Sequence, residues 1–466
     1  MSPHLSNETS PNASRGRCPF SYLKNLVCPP KNVVGAQTTN IAQAAKNLRL
    51  NQADLKASIK DGTLSLVDTA DWKQRYQEYK ALQEQAPVYL HPSTRTWIVT
   101  GYNDVKELGT NPNLDLSNII PNKIESLSGE QRESISAVTD SLRNWMIYQP
   151  REEHLSIKRV FSKAFNASAT EMMTPAVREA ALSLLENCPL PGSGETFDFM
   201  AKYARPLPTL VLARMMGVPS SDLHKVGKWT SDLTEFMANF VVANQLDPEI
   251  ATRASSAISE MQDYFGDRVR AVRAQSDGTI LAHVVGSTSL PDKVITDQCI
   301  HIIFGGNKVP EYMAGNAMYH VLRARDGYRS IVSSNALLAQ AIDEAARFES
   351  PVQFITRSVL KDFSFQGQEL KQGDTVYLVL GAANRDARFW ASPDTFDLHR
   401  SRGGHLAFGV GAHTCVATGM VKSQLFEMLK VFTERYPMVV LAEPTKEPKW
   451  TQNATFHGLT ELGIKA

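Results

Sequence analysis

Apolar residues first fall into helical spacing at "IAQAAKNLRLNQADLKASIKDG", after a Ser-, Asn- and Pro-rich leader over residues 1–40 that reads as a flexible tail. After "DWKQRYQEYKALQEQ", the segment "PVYLHPSTRTWIVTGYNDVKELG" holds two short strand-like runs around a Pro/Ser turn. It then predicts a helix whose start is marked by Asn103 or Asp104. From about 130 to 345 the period is mostly helical, broken at "CPLPGSGE" and "SDGT". A second β-rich stretch, "VQFITRSVLKDFSFQGQELKQGDTVYLVLGAANRD", sets strand-like runs about a Gly-bearing turn. Helix returns in "MVKSQLFEMLKVFTERYP", where Met420, Leu425, Leu429 and Phe432 make an apolar stripe. No fixed period repeats. This order predicts a mainly α fold with a small β region assembled from distant segments, residues 41–466 forming one domain.

Composition narrows the function classes. At 466 residues and 42% hydrophobic content the chain can bury a large core. Its 49 basic and 48 acidic residues leave a net charge of +1, so no overall field draws it to nucleic acid or an anionic membrane. The cysteines Cys18, Cys28, Cys188, Cys299 and Cys415 are odd in number and form no CxxC or zinc spacing, which argues against a disulfide framework and for a reducing compartment. The leader lacks the apolar run of a signal peptide or anchor, so a cytoplasmic protein without a membrane anchor is expected. The glycosylation sequons at Asn7 and Asn12 are read as chance matches in a Ser/Asn-rich tail.

The richest chemistry lies in "RGGHLAFGVGAHTCVATG", residues 402–419. A cysteine just ahead of a helix meets unpaired N–H groups and the positive end of the helix dipole, both of which favour thiolate. Gly409 and Gly411 permit a tight turn close to a flat ligand, Phe408 offers an aromatic wall, and His413 offers a donor to a nearby anion. Phe408, Gly409, Gly411, His413, Cys415, Val416 and Ala417 resemble the haem-binding signature FGxGxHxCxG of the cytochrome P450 family, with Ala417 in place of the last Gly.

Three further segments are similar to that family, in the same order. "DEAARFESP" sets Glu344 and Arg347 three apart on one helix face, like the ExxR motif, and "RFWASPDTFDLHR" resembles the loop whose arginine, here Arg400, completes that structural triad. "QPREEHLSIKRVFSKAF" resembles a segment whose His and Arg, here His154 and Lys158, reach a haem propionate. Arg357 matches the arginine of the other propionate. The resemblance implies the family's triangular helical prism with a long central helix over the haem, haem b (iron protoporphyrin IX) as cofactor, and Cys415 as the axial thiolate and metal ligand. It also implies a small organic substrate, a ferredoxin or flavodoxin electron donor, and a monomer.

One segment departs from the family. The central helix usually carries (A/G)GxxT, with an acid before the Thr that relays protons during oxygen activation. In "FGGNKVPEY" Gly305 and Gly306 align, but Lys308 holds the acid position, Val309 the alcohol position, and Pro310 follows. No Thr occurs from 300 to 320. Asn307 and Lys308 are read either as donors that orient a substrate or, for Lys308, as a side chain that turns out of the helix, with Glu311 in reach of an ion pair. The expected reactions in secondary metabolism are monooxygenation, oxidative aryl or phenol coupling, or a peroxide-driven or isomerising reaction. A non-catalytic haem sensor is the alternative from another class.

Overall fold

A computed structural model describes residues 52–61, 64 and 72–466 apart from 93, 243, 244 and 402. The expected tail over residues 1–40, Cys18, Cys28 and both sequons lie outside the described residues. The principal helices are α1 (Gln52–Lys60), α2 (Trp72–Gln85), α3 (Tyr102–Leu108), α4 (Ser136–Asn144), α5 (Arg151–Ala164), α6 (Ala167–Leu185), α7 (Pro206–Met216), α8 (Leu223–Phe236), α9 (Pro248–Ala274), α10 (Asp292–Arg323), α11 (Asn335–Phe348) and α12 (Thr418–Arg435). The breaks predicted at "CPLPGSGE" and "SDGT" fall between α6 and the next strand and just beyond α9, where Gly278 takes a φ of 75°. The stripe Met420, Leu425, Leu429 and Phe432 is buried along α12.

The β region is assembled from both ends of the chain. Strands β1 (Val88–His91) and β2 (Thr96–Val99) form an antiparallel hairpin, and β2 then runs parallel to β8 (Thr375–Leu378), with Trp97 opposite Val376. β8 pairs antiparallel with β5 (Ile355–Val359), and β3 (Leu114–Asp115) closes the order β1-β2-β8-β5-β3. β6 (Phe363–Phe365) and β7 (Gln368–Leu370) make the hairpin about the Gly-bearing turn. A third sheet joins β4 (Thr196–Asp198), β9 (Val440–Leu441) and β10 (Gly463–Lys465), which no alternating pattern announces because the strands are two or three residues long. Helix α3 starts one residue before the expected marker. Its first amide, Tyr102 N–H, donates to Asp386 Oδ2 at 2.8 Å, so a carboxylate from a distant segment replaces a local cap.

Helix α10 sets the frame for the site. Its 32 residues give a length of about 48 Å, and α7, α8, α9 and α11 pack along it. It continues through Pro310, whose missing N–H favours a kink; Pro310 is buried by the surrounding helices. Asp297 on α10 is fully buried and accepts from Ser141 Oγ (2.8 Å), Asn144 Nδ2 (2.7 Å) and Gln262 Nε2 (2.9 Å). Three donors offset the cost of burying a carboxylate, and they tie α4 and α9 to the long helix. Gln298 Oε1 accepts from the Met146 amide at 3.0 Å, extending the tie to the chain between α4 and α5.

Candidate haem site

The cysteine loop is shaped by its glycines. Gly409 and Gly411 take φ values of 78° and 72°, which only glycine adopts without strain. Gly409 N–H donates to Leu406 O and Cys415 N–H to Phe408 O, both at 2.8 Å, folding the loop back on itself before α12. A Cβ on Gly411 would collide with the Gly109 carbonyl. Gly411→Ala is therefore expected to cost about 1–2 kcal/mol in backbone strain alone, plus that collision. The thermal midpoint and haem content should both fall, whereas Gly419→Ala, with open space at its Cβ, should leave both unchanged.

Cys415 is accessible on one side and surrounded by protein elsewhere. Desolvation pushes its thiol above the ordinary value, opposed by the Ala417 N–H, the Thr418 hydroxyl and the Lys158 ammonium. The helix start favours thiolate, as expected, but burial outweighs it. A bound metal cation would reverse that balance, since coordination deprotonates a thiol outright. Phe408 is partly buried beside the loop, with Lys422 Nζ 5.6 Å from its ring centre.

Behind the loop, Glu344, Arg347 and Arg400 meet. Arg347 is 1% exposed and forks onto Glu344 through Nε (2.9 Å) and Nη2 (2.8 Å). Its remaining N–H groups donate to the carbonyls of Asn384 (2.8 Å), Pro393 (2.9 Å) and Thr395 (3.1 Å). Arg400 Nε adds a bond to Glu344 Oε1 at 3.1 Å. Sequence reasoning missed Asn384, also fully buried, whose Oδ1 accepts from Leu406 N–H at 2.7 Å and whose Nδ2 donates to Ser350 Oγ at 2.8 Å. It couples the ion-pair cluster to the start of the cysteine loop, and no local motif marks it.

His154 and Lys158 both reach the cysteine loop. His154 Nδ1 lies 2.7 Å from Met146 O and Nε2 3.0 Å from Ala412 O, while Lys158 Nζ donates to Ala412 O (2.6 Å) and Thr414 O (2.5 Å). The Lys158 ammonium keeps a third N–H beyond these two bonds. Both side chains clamp the cysteine-loop backbone onto α5, because buried carbonyls on that loop need donors. Arg357 and His413 stand otherwise. Arg357 is 2% exposed, Nη1 donates to Thr356 O at 2.8 Å, and Nη2 has no partner among the described residues. Burial lowers its pKa to about 10. His413 stacks on His154 at 4.0 Å, and its Nδ1 is likewise unpartnered among the described residues. Its pKa is pushed down to about 2, first by burial and then by the positive charge of Arg357, His154, Lys158 and Arg151. Unmet buried donors inside a ring of basic groups fit a ligand with carboxylates at one edge, as haem has.

On α10, a Cβ at Gly305 would meet nothing within 4 Å although the residue lies mid-helix, so one face of the long helix borders open space there. Gly306 packs against Leu212, whose Cδ2 would be 3.0 Å from a Cβ. Asn307 is buried and exchanges hydrogen bonds with Thr209 (Nδ2 to Oγ1, 3.1 Å). Lys308 Nζ bonds Glu311 Oε2 at 3.1 Å, and Glu311 Oε1 takes Arg205 Nε at 2.9 Å. Asn307 and Lys308 are both held by partners on α7, its flank and α10, and the expected Lys308–Glu311 pair forms because a buried carboxylate at Glu311 draws the nearest cations. Val309 is partly buried against the helical core.

Comparison with known proteins agrees with this geometry. The family model named Cytochrome P450 matches residues 332–461, the span holding the ion-pair triad and the cysteine loop. A Bacillus subtilis (strain 168) protein named Cytochrome P450 is 25% identical over 84% of this chain and 92% of its own length. Cytochrome P450 monooxygenase PikC of Streptomyces venezuelae is 25% identical over 84% and 90%. The solved structure of P450BioI, in complex with a hexadec-9Z-enoic acid ligated acyl carrier protein, superposes with a TM-score of 0.75 at 23% identity, covering 84% of this chain and 98% of that one. Among the described residues no helix is long and apolar enough to cross a membrane. The fold, the order of the motifs and these likenesses converge on the cytochrome P450 family, a family of haem-thiolate oxidoreductases.

Proposed function

We propose that the chain holds haem b through Cys415 and oxidises a small organic substrate of secondary metabolism, as a single cytoplasmic domain spanning residues 41–466. The observation that carries this reading is the placement of Cys415 in a glycine-shaped loop that the Glu344–Arg347–Arg400 cluster braces through Asn384. Phe408 and Gly409 flank the ligand, and Arg357 and His413 face its carboxylates. His154 and Lys158 hold the loop from α5. Haem, when bound to a thiolate, supplies activation of dioxygen. Electrons come from a ferredoxin or flavodoxin, and the protein acts as a monomer.

On the distal side the side chains at 305–309 supply no proton relay. Lys308 is held by Glu311, Val309 carries no exchangeable proton, and Gly305 leaves room beside the helix. Oxygen insertion, the chemistry named for the relative PikC, then draws its protons from ordered water or from a polar group of the substrate. The same relay-free segment favours a second reading, oxidative coupling of phenols or other electron-rich rings, in which no oxygen atom is transferred. The test is turnover under isotope-labelled dioxygen after the dithionite-reduced, carbon monoxide-treated protein has shown the red-shifted Soret band of thiolate-ligated haem. Label in the product establishes insertion, and an unlabelled dimer establishes coupling. A protein with an imidazole-type spectrum, or without haem, overturns both.

A further inference from the structure

Trp145 follows α4 and is fully buried, fixed in place by the bonds of Ser141 and Asn144 to Asp297 and of the Met146 amide to Gln298. Its indole lies nearly parallel to the imidazole of His301 on α10, 4.8 Å between centres at 15°, with Phe304 at 5.4 Å. Trp145 Nε1 and His301 Nδ1 are both buried, and neither has a hydrogen-bond partner among the described residues. A buried polar nitrogen without a partner is costly, and two on stacked rings point to a partner that both share, which the Trp145 N–H requires to be an acceptor and which His301 meets in its Nδ1–H tautomer.

The position says which acceptor. His301 stands one helical turn before Gly305, on the face that borders open space. Met146, the neighbour of Trp145, bonds His154 Nδ1 through its carbonyl at 2.7 Å, and His154 stacks on His413, whose Nδ1 also lacks a partner among the described residues. Burial holds the His301 pKa at about 3, so near neutral pH its ring is uncharged and carries one N–H. His154 and two of the three Lys158 N–H groups serve the cysteine-loop backbone, so two haem carboxylates call for further donors. We propose that Trp145 and His301 are positioning residues that donate to a haem carboxylate from the long-helix side, complementing Arg357 and His413. This inference rests on the haem reading above.

The experiment follows haem transfer from holoenzyme to excess apomyoglobin, with native haem and with protein reconstituted with its dimethyl ester. Trp145→Phe and His301→Phe keep an aromatic ring at each position and remove the N–H, and the ester arm separates the packing change from the lost donor. Each is expected to speed loss of native haem about five- to ten-fold, with little change for the ester, whose carbonyls bind any donor less strongly than a carboxylate does. Unchanged loss of native haem in both variants overturns the proposal. Equal acceleration for haem and ester also overturns it, since that is a packing effect. A wild-type thiolate band with unchanged loss rates defeats this inference alone, and a wild-type chain that takes up no haem defeats the haem reading as well.

Discussion

Replacing Cys415 by Ser is expected to abolish the red-shifted Soret band of the reduced, carbon monoxide-bound protein, while Cys299→Ala and Cys188→Ala leave it intact. The three thiols differ in surroundings. Cys299 is 1% exposed on α10, and burial pushes its thiol up to about 12, with Asp297 adding to the rise. Cys188 is raised to about 11, again by burial first. Both are small hydrophobes within the fold. Cys415 alone combines an accessible side with the Ala417 N–H, the Thr418 hydroxyl and the Lys158 ammonium to stabilise negative charge. A serine keeps the loop geometry but is a harder, far less acidic ligand. The variant should fold, because Cys415 contributes little buried apolar contact, and its far-ultraviolet dichroism should match wild type. A persisting thiolate band in Cys415→Ser, or its loss in Cys299→Ala, would assign the ligand elsewhere.

The second large effect is expected at Arg347. Its five hydrogen bonds join Glu344 to three carbonyls, and both charged partners are about 1% exposed on their side chains. Arg347→Ala strips Glu344 of its bidentate partner, leaving the bonds from Arg400 and the Asp397 N–H, and orphans the carbonyls of Asn384 and Pro393. Breaking one side of a buried pair costs about 3–5 kcal/mol. The damage should travel through Asn384 to Leu406 and the cysteine loop, so haem content should fall with the thermal midpoint. Arg347→Lys retains the charge but cannot reproduce the fork, and should recover only part of the loss. Stability and haem content equal to wild type in Arg347→Ala would show that the cluster does not brace the loop.

The parts of this site that could be read in advance are those fixed by short separations along the chain. The run from Phe408 to Ala417 encodes its own turn, since Gly409 and Gly411 occupy backbone conformations closed to other residues and Cys415 immediately precedes α12. Glu344 and Arg347 share a helix face by spacing alone. The β region was legible as runs of strand in two distant segments, but that β2 lies parallel to β8, with Trp97 beside Val376, depends on how the two hydrophobic faces pack. The strands near Thr196 and Gly463 were too short to show a pattern.

For long polar side chains the choice of partner lay in tertiary contacts. His154 and Lys158 had the right spacing for one helix face, yet turned to carbonyls of a loop more than 250 residues away. Lys308 found Glu311 three residues on, but it was the burial of Glu311 against Arg205 that made this pairing binding. Asn384 and the Trp145–His301 stack carried no signal at all, because each matters only through contacts between distant segments. Local backbone geometry and residue chemistry along the chain set the cysteine loop, the helical period and the lack of an acid at position 308 and an alcohol at 309. Tertiary structure decided which donors are spent on the protein's own carbonyls and which are left facing the ligand. That choice is a competition among buried acceptors, and only folding brings those acceptors within reach.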